Sequence, residues 1–428
     1  MGIILLIYNL FFFIFSITLL PYLYLKRRNK KDGILWLKER FGFIPEEKLK
    51  SIYGRPVWIH AVSVGEVMAA LPLIKIIKEE YPDRSLVLST ITDTGNLIAR
   101  ERAKEVDAII YLPFDISLSV KSALRRIGPE IFILIETEIW PNLLRTLNRE
   151  GIPSIIINGR ISQRSFKGYK LVKPFMKAIL KNIYRFGMQT TSDAERIRAI
   201  GADPFKVEVI GNIKFDQSFS QDSVDSERLK RSYGIGERRF FVAGSTHEGE
   251  EEIISDAFIE IKKDFPDLIL LIAPRHIERV RRIEGLLKVR GISFRRRTEL
   301  IENGLDDASV IILDTIGELA QIYSIATVVF IGGSLVPAGG HNVLEPAVYS
   351  KPIIFGLHME NFKDIAQTFL EKGAACQVSN GTQFKRELGY LLSNMDVARS
   401  IGENARKVID ENKGAVGRSL MMIEKFLK

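Results

Sequence analysis

The sequence predicts an α/β protein: two tandem Rossmann-like, doubly wound domains with a cleft between them, preceded by a transmembrane helix. Three observations predict it. Short apolar runs alternate with longer amphipathic ones along nearly the whole chain. The alternation blurs once, in the polar stretch 217–225, and then begins again. Ahead of both series lies an uncharged apolar run, 3–25, followed at once by Lys26, Arg27, Arg28, Lys30 and Lys31.

The leading run is long enough to cross a bilayer as one helix, and the basic cluster behind it places the rest of the chain on the cytoplasmic side. A cleaved signal peptide fits less well, because its basic residues would come first and no small-residue cleavage site is visible. The first series reads as strands at 57–61, 86–90, 108–112, 131–135 and 154–157, with helices such as 66–80 and 95–105 between them. The second reads as strands at 240–244, 268–273, 310–313, 327–331 and 352–355, with helices including 250–264 and 278–289. This order implies parallel sheets covered on both faces. The organisation expected is an anchor over 1–30, an N-terminal domain over 31–213, a C-terminal domain over 214–402, and a terminal helix over 403–428 able to pack back on the N-terminal domain.

Composition narrows the classes. Hydrophobic residues make up 46% of 428, enough for sizeable cores, so a disordered chain is excluded. A single cysteine, Cys376, allows no internal disulfide and fits a reducing compartment. The net charge of +9 invites a nucleic-acid partner, but no basic arm, zinc-finger spacing or RNA-binding signature accompanies it. The charge does gather at Arg164, Lys167, Lys170, Lys173, Lys177, Lys181 and Arg185, interleaved with Phe166, Tyr169, Val172, Phe175, Met176, Ile179 and Leu180. That spacing reads as one basic amphipathic helix suited to an anionic membrane surface or lipid.

The chemistry is expected in the loops at the carboxyl ends of the strands. The glycine-rich stretch 332–345 comes after a buried strand and leads into 345–349, which reads as the start of a helix. Such a turn aims backbone N–H groups at one spot and suits a phosphate, while Glu345 could accept from a ribose diol. Asn342 and Glu345 also form a capping box, although Pro346 at the first helical position would make Glu345 the cap. The first N-terminal strand runs into Glu66 at a helix entrance, where the dipole favours the ionised form a general base needs. The fourth ends in Glu136 and Glu138, either of which can turn inward. The second domain adds Gly244-Ser245-Thr246-His247, Pro274-Arg275-His276 and Asp314-Thr315-Ile316-Gly317-Glu318 at successive strand ends. The histidines lack zinc-type spacing and no Asp-x-Asp occurs, so no metal is expected; a Walker motif is also missing.

Taken together, 60–66, 136–141, 211–216, 274–276, 316–318 and 339–346 resemble the 3-deoxy-D-manno-octulosonic acid (Kdo) transferases, inner-membrane glycosyltransferases of the GT-B fold that act in lipopolysaccharide assembly. The resemblance covers nearly the whole chain. It implies CMP-Kdo as donor, bound by the C-terminal domain, and lipid IVA, the lipid A precursor, as acceptor, met by the N-terminal domain. It implies inversion, with Glu66 as proton acceptor and Glu136 and Lys214 stabilising the transition state. It assigns CMP to Pro274, Arg275, Ile316, Gly317, Glu318, Asn342, Val343, Leu344 and Glu345, with no metal or other cofactor. It leaves open how many Kdo residues are added. A membrane-associated glycosyltransferase using a UDP-sugar, or a non-catalytic nucleotide-sugar-binding protein, are the alternatives.

Overall fold

Buried runs rich in β-branched residues build two sheets in the computed structural model, which describes residues 8–9, 33–216, 225–300 and 304–428. The first sheet contains β1 (Val57–His60), β2 (Leu86–Thr90), β3 (Ala108–Tyr111), β4 (Ile131–Ile135), β5 (Ser154–Gly159), β6 (Arg185–Met188) and β7 (Val207–Val209), in the order β3-β2-β1-β4-β5-β6-β7. The second contains β8 (Phe240–Thr246), β9 (Ile269–Pro274), β10 (Phe294–Arg296), β11 (Val310–Ile312), β12 (Val328–Ile331), β13 (Ile353–Phe355) and β14 (Cys376–Gln377), in the order β10-β11-β9-β8-β12-β13-β14. Pairing is parallel throughout, with Val57 opposite both Leu86 and Ile131, and Val329 opposite Ile353. Both sheets reverse their winding beside the first strand, between β1 and β4 and between β8 and β12. Those two places are topological switch points, where the flanking loops part and leave a crevice.

The chain divides into two compact units, Met1–Gln217 with Asn412–Lys428, and Ser218–Glu411. In the first, the helix Val64–Glu80 buries Val67, Ala70, Leu73, Ile74 and Ile77, spaced three and four apart, against one face of the sheet with Ile59 and Ile133. The helix Ala415–Ile423 joins the same core through Ala415, Val416 and Ile423. Each fully buried isoleucine or leucine contributes about 1.5–3 kcal/mol. The returning helix is fastened at its start: the Asp216 carboxylate accepts from the N–H groups of Gly414 and Val416, each at 2.6 Å. In the second unit, the helices Glu250–Asp264 and Gly381–Ser393 cover one face through Ile254, Phe258, Phe384 and Leu388.

Several expectations change. The basic stretch is not one helix but two, Gln163–Leu171 and Lys173–Leu180, and Arg185 opens β6. Pro174 is the cause: it has no N–H to donate and fits only the first turn of a new helix. The helix expected to start at 345–349 is only the five-residue Leu344–Val348, with Val343 at its N-cap, so neither Asn342 nor Glu345 caps it. Four short strands, β6, β7, β10 and β14, add to the expected ten. Among the described residues no helix is long and apolar enough to cross a membrane, and the apolar run 3–25 lies outside them apart from Tyr8 and Asn9. The polar stretch 217–224 also lies outside them.

Candidate functional site

In the first unit, the loops after β1 and β4 border the switch point, and they carry three carboxylates. Glu66 sits in the first turn of the helix Val64–Glu80. Its Oε2 accepts from the Val62 N–H at 2.6 Å and its Oε1 from the Ser63 hydroxyl at 3.2 Å. Val62 is held in turn, because its carbonyl accepts from the N–H groups of Ile91 and Thr92, each at 3.2 Å. The glutamate does part of a capping task, but its setting goes beyond that. Burial, and then the charges of Glu136 and Glu138, push its carboxyl up to about 7, against the hydrogen bonds from Val62 and Ser63. Burial first, and then Glu136, push Glu138 up to about 7 as well. Sequence leaves open which of Glu136 and Glu138 turns inward; both lie within electrostatic reach of Glu66.

Glu136 stands in the left-handed region, φ 63°, directly after β4, with its N–H donating to the Ile157 carbonyl at 2.9 Å. That conformation costs a non-glycine residue about 1–2 kcal/mol, which the two flanking strands sustain. Asn158, in β5, is left-handed too, at φ 59°. Its Oδ1 accepts from the Ile213 N–H at 3.1 Å, and Lys214 N–H donates to Asn212 Oδ1 at 3.0 Å, so the turn Ile213–Asp216 that carries Lys214 is tied to the sheet. Ile213 packs in one core with Val67, bringing this turn against the helix that bears Glu66. Asn158 has no signal in the sequence beyond lying near the end of a strand.

In the second unit, the end of β8 and the loop after β12 meet at the switch point so closely that a Cβ on Gly332 would lie 2.3 Å from the Ser245 carbonyl oxygen. The fully buried Glu250 joins them. Its carboxylate accepts from the N–H groups of Gly333 (2.7 Å), Ser334 (2.9 Å), Leu335 (3.0 Å) and His247 (2.9 Å). This corrects the sequence reading of the glycine-rich turn. Its first N–H groups do not wait for a phosphate, because an internal anion already fills the nest they make.

Several side chains remain to meet an anion. Pro274 ends β9, and Arg275, fixed by its N–H on the Thr246 carbonyl at 3.0 Å, is exposed and forms no ion pair among the described residues. His276 is exposed beside it, and the rings of His247 and His341 lie 5.1 Å apart between centroids, with Nε2 facing Nε2 at 2.8 Å. After β11, Ile316 is 86% exposed and Gly317 is left-handed at φ 93°. Glu318 is engaged within the protein: it accepts from the Tyr233 hydroxyl at 3.0 Å, from Arg297 at 2.9 Å and from the Thr315 hydroxyl. Burial raises its carboxyl, but these hydrogen bonds outweigh that and hold it below the ordinary value. Val343 and Leu344 are fully buried, so only their backbone can face a ligand. Asn342 accepts from the Leu344 N–H at 3.1 Å and donates to Glu345 at 3.2 Å. Burial raises the Glu345 carboxyl, opposed by Asn342 and Arg275. Among the described residues no group of three or more His, Cys, Asp or Glu side chains is placed to hold a metal ion.

Comparison with known proteins adds a family to this geometry. Residues 36–217 match the family model described as 3-deoxy-D-manno-octulosonic-acid transferase (kdotransferase). A 3-deoxy-D-manno-octulosonic acid transferase of Haemophilus influenzae is 34% identical over 396 residues, covering 92% of this chain and 91% of that protein. A bifunctional glycosyltransferase/methyltransferase of Fusobacterium nucleatum is 36% identical over 361 residues, 83% of this chain but only 55% of that longer protein. A glycosyltransferase structure from Rickettsia africae aligns with a TM-score of 0.56 at 14% identity, over 88% of this chain and all of that one, which is a likeness of fold. With two parallel seven-stranded sheets, the architecture is α/β of the GT-B type.

Proposed function

The chain belongs to the 3-deoxy-D-manno-octulosonic acid (Kdo) transferase family and is a glycosyltransferase, and from that premise we propose that it moves Kdo from CMP-Kdo to lipid IVA with inversion, releasing CMP. The observation that carries the chemistry is Glu66, a carboxylate held near neutrality at the switch point of the first sheet by burial and two neighbouring carboxylates. A base of that strength is matched to taking a proton at physiological pH.

In the reaction, an acceptor hydroxyl gives its proton to Glu66 as its oxygen bonds to the anomeric carbon. The bond from that carbon to the phosphate oxygen breaks, and its electron pair leaves with CMP. Charge lost at the sugar and gained at the phosphate asks for opposite partners. Glu136 suits the first, and Lys214 and Arg275 suit the second. Ile316, Gly317 and the backbone at Asn342–Glu345 would border the nucleoside, with Glu345 as the ribose partner and Glu318 as the group that fixes their loop. No metal is required by this scheme, because cationic side chains take its place at the phosphate. The apolar run 3–25 would anchor the protein in the inner membrane, with the catalytic units on the cytoplasmic side and no nucleic-acid partner.

The full chain incubated with CMP-Kdo and lipid IVA should yield Kdo-bearing lipid and free CMP by mass spectrometry, and the same spectrum counts the Kdo residues added. Calorimetric preference for UDP over CMP, with no Kdo product, would instead favour a UDP-sugar enzyme; nucleotide binding without turnover on any acceptor would favour a sensor.

A further inference from the structure

His247 and His341 stand on the loops after β8 and β12, at the switch point of the second sheet, and Kdo transfer through Glu66, Lys214 and Arg275 gives them no task. Their Nε2 atoms are 2.8 Å apart, and with centroids 5.1 Å apart and planes within 14° the rings meet edge to edge through those nitrogens. Two imidazole nitrogens at that distance need one proton between them, since two lone pairs repel and two N–H groups collide. The pair therefore holds a single shared proton.

Its surroundings resist a second one. His276 meets the His247 ring edge-on at 6.1 Å, and Arg275 and Arg279 add positive charge. Glu251 is the carboxylate facing His247, but Arg279 already binds it at 2.6 and 2.9 Å. His341 faces His247, Arg275 and His276. Glu345 faces Arg275, yet burial raises its carboxyl and Asn342 already binds it. Glu250 lies close by in the fold, with its oxygens occupied by four backbone N–H groups. Burial and these cations hold His247 low, and burial, His247, Arg275 and His276 push His341 down to about 4. The crevice thus carries cationic side chains that these committed carboxylates do not balance.

We propose that the His247–His341 pair is a proton-linked phosphate-binding element, in which an arriving phosphate supplies the missing negative charge and the pair takes up one proton from solvent. The shared hydrogen bond then opens, and each ring directs its Nε2–H to a phosphate oxygen, one as imidazolium and the other as neutral imidazole. This rests on the reading of the second unit as the donor site. It also deepens that reading, because a phosphate that gains charge as its bond to the sugar breaks is held more tightly in the transition state than before it.

The test is calorimetric titration of the full chain with CMP between pH 7 and 8.5, where the nucleotide phosphate, with a second pKa of about 6, is already largely ionised. One linked proton predicts that CMP affinity falls about tenfold per pH unit, and that the binding heat differs between buffers of unlike ionisation enthalpy. His247→Gln and His341→Gln should each flatten that slope while leaving the circular dichroism melting curve in place. An unchanged slope in both variants, or a flat profile in the native chain, overturns the proposal. If UMP binds and CMP does not, the donor reading fails while the same profile measured with UMP still decides the pair. Failure of both nucleotides to bind overturns both.

Discussion

The carboxylate of Glu250 lies 2.9 Å from the backbone nitrogen of Ser334, 84 positions further along the chain. With the N–H groups of Gly333, Leu335 and His247 on the same two oxygens, it welds the loop after β12 to the loop after β8. An anion-binding nest has been turned into a structural joint.

Removing that joint should be costly. Glu250→Ala leaves four N–H groups without their acceptor, those of Gly333 and Ser334 in buried bonds, which costs about 1–3 kcal/mol for each group that water cannot reach. We expect a loss of at least about 3 kcal/mol in urea unfolding of the second unit. Glu250→Gln keeps one oxygen and should lose less. A variant as stable as the native protein would show that the four bonds contribute little net free energy.

The three carboxylates of the first unit predict a pH profile. Glu66 acts in its ionised form, so the transfer rate should rise with an apparent pKa of about 7 and level off above it. Glu66→Gln should lose about 10²–10⁴-fold in rate without a matching rise in KM. Glu138→Gln removes one neighbouring charge and should move the profile to lower pH. The stability effect has a definite sign. Glu66 and Glu138 have folded pKa values above their unfolded ones, so the stability they contribute is present at low pH and is lost as pH rises through about 7. Glu138→Gln should accordingly raise the melting temperature at pH 8 and do less at pH 5.

The end of the chain should matter to the first unit rather than the second. Ile423 is fully buried, so Ile423→Ala should cost about 2–5 kcal/mol by the lost contacts and the cavity left behind. Asp216→Ala removes the acceptor for Gly414 and Val416 and should cost about 1 kcal/mol. Hydrogen exchange should place both losses in the first unit, including the helix Val64–Glu80. Faster exchange confined to residues 218–411 would contradict that.

Most strands were legible because a parallel strand covered on both faces reads as an unbroken apolar run, as Ile131–Ile135 does. The strands that went unread are short. Phe-Arg-Arg in β10 and Cys-Gln in β14 are edges, paired on one side only and free to carry polar residues. Glu66 and Arg275 could be singled out because their motifs are local, and Lys214 through the family resemblance of 211–216. The Glu250 joint could not, since three of its four donors lie 83–85 residues away and a glutamate opening a helix looks like a dipole partner. The left-handed backbone at Glu136 and Asn158 was equally hidden, because neither is the glycine that announces such a conformation.

With Glu250 filling the backbone nest, Arg275 becomes the fixed positive charge of the second unit's crevice. It forms no ion pair among the described residues, and its backbone is tied to Thr246 at the end of β8. Arg275→Ala should weaken CMP binding by about 10- to 100-fold, the worth of a charge-assisted hydrogen bond of about 1.5–3 kcal/mol. Arg275→Lys should recover only part of that, because a single ammonium lacks the guanidinium fork. The native affinity should fall with added salt, and the Arg275→Ala protein should show a shallower dependence. Cytidine has no phosphate to engage, so its binding should be nearly indifferent to the substitution. Equal losses for CMP and cytidine would mean that Arg275 shapes the pocket instead of holding the phosphate.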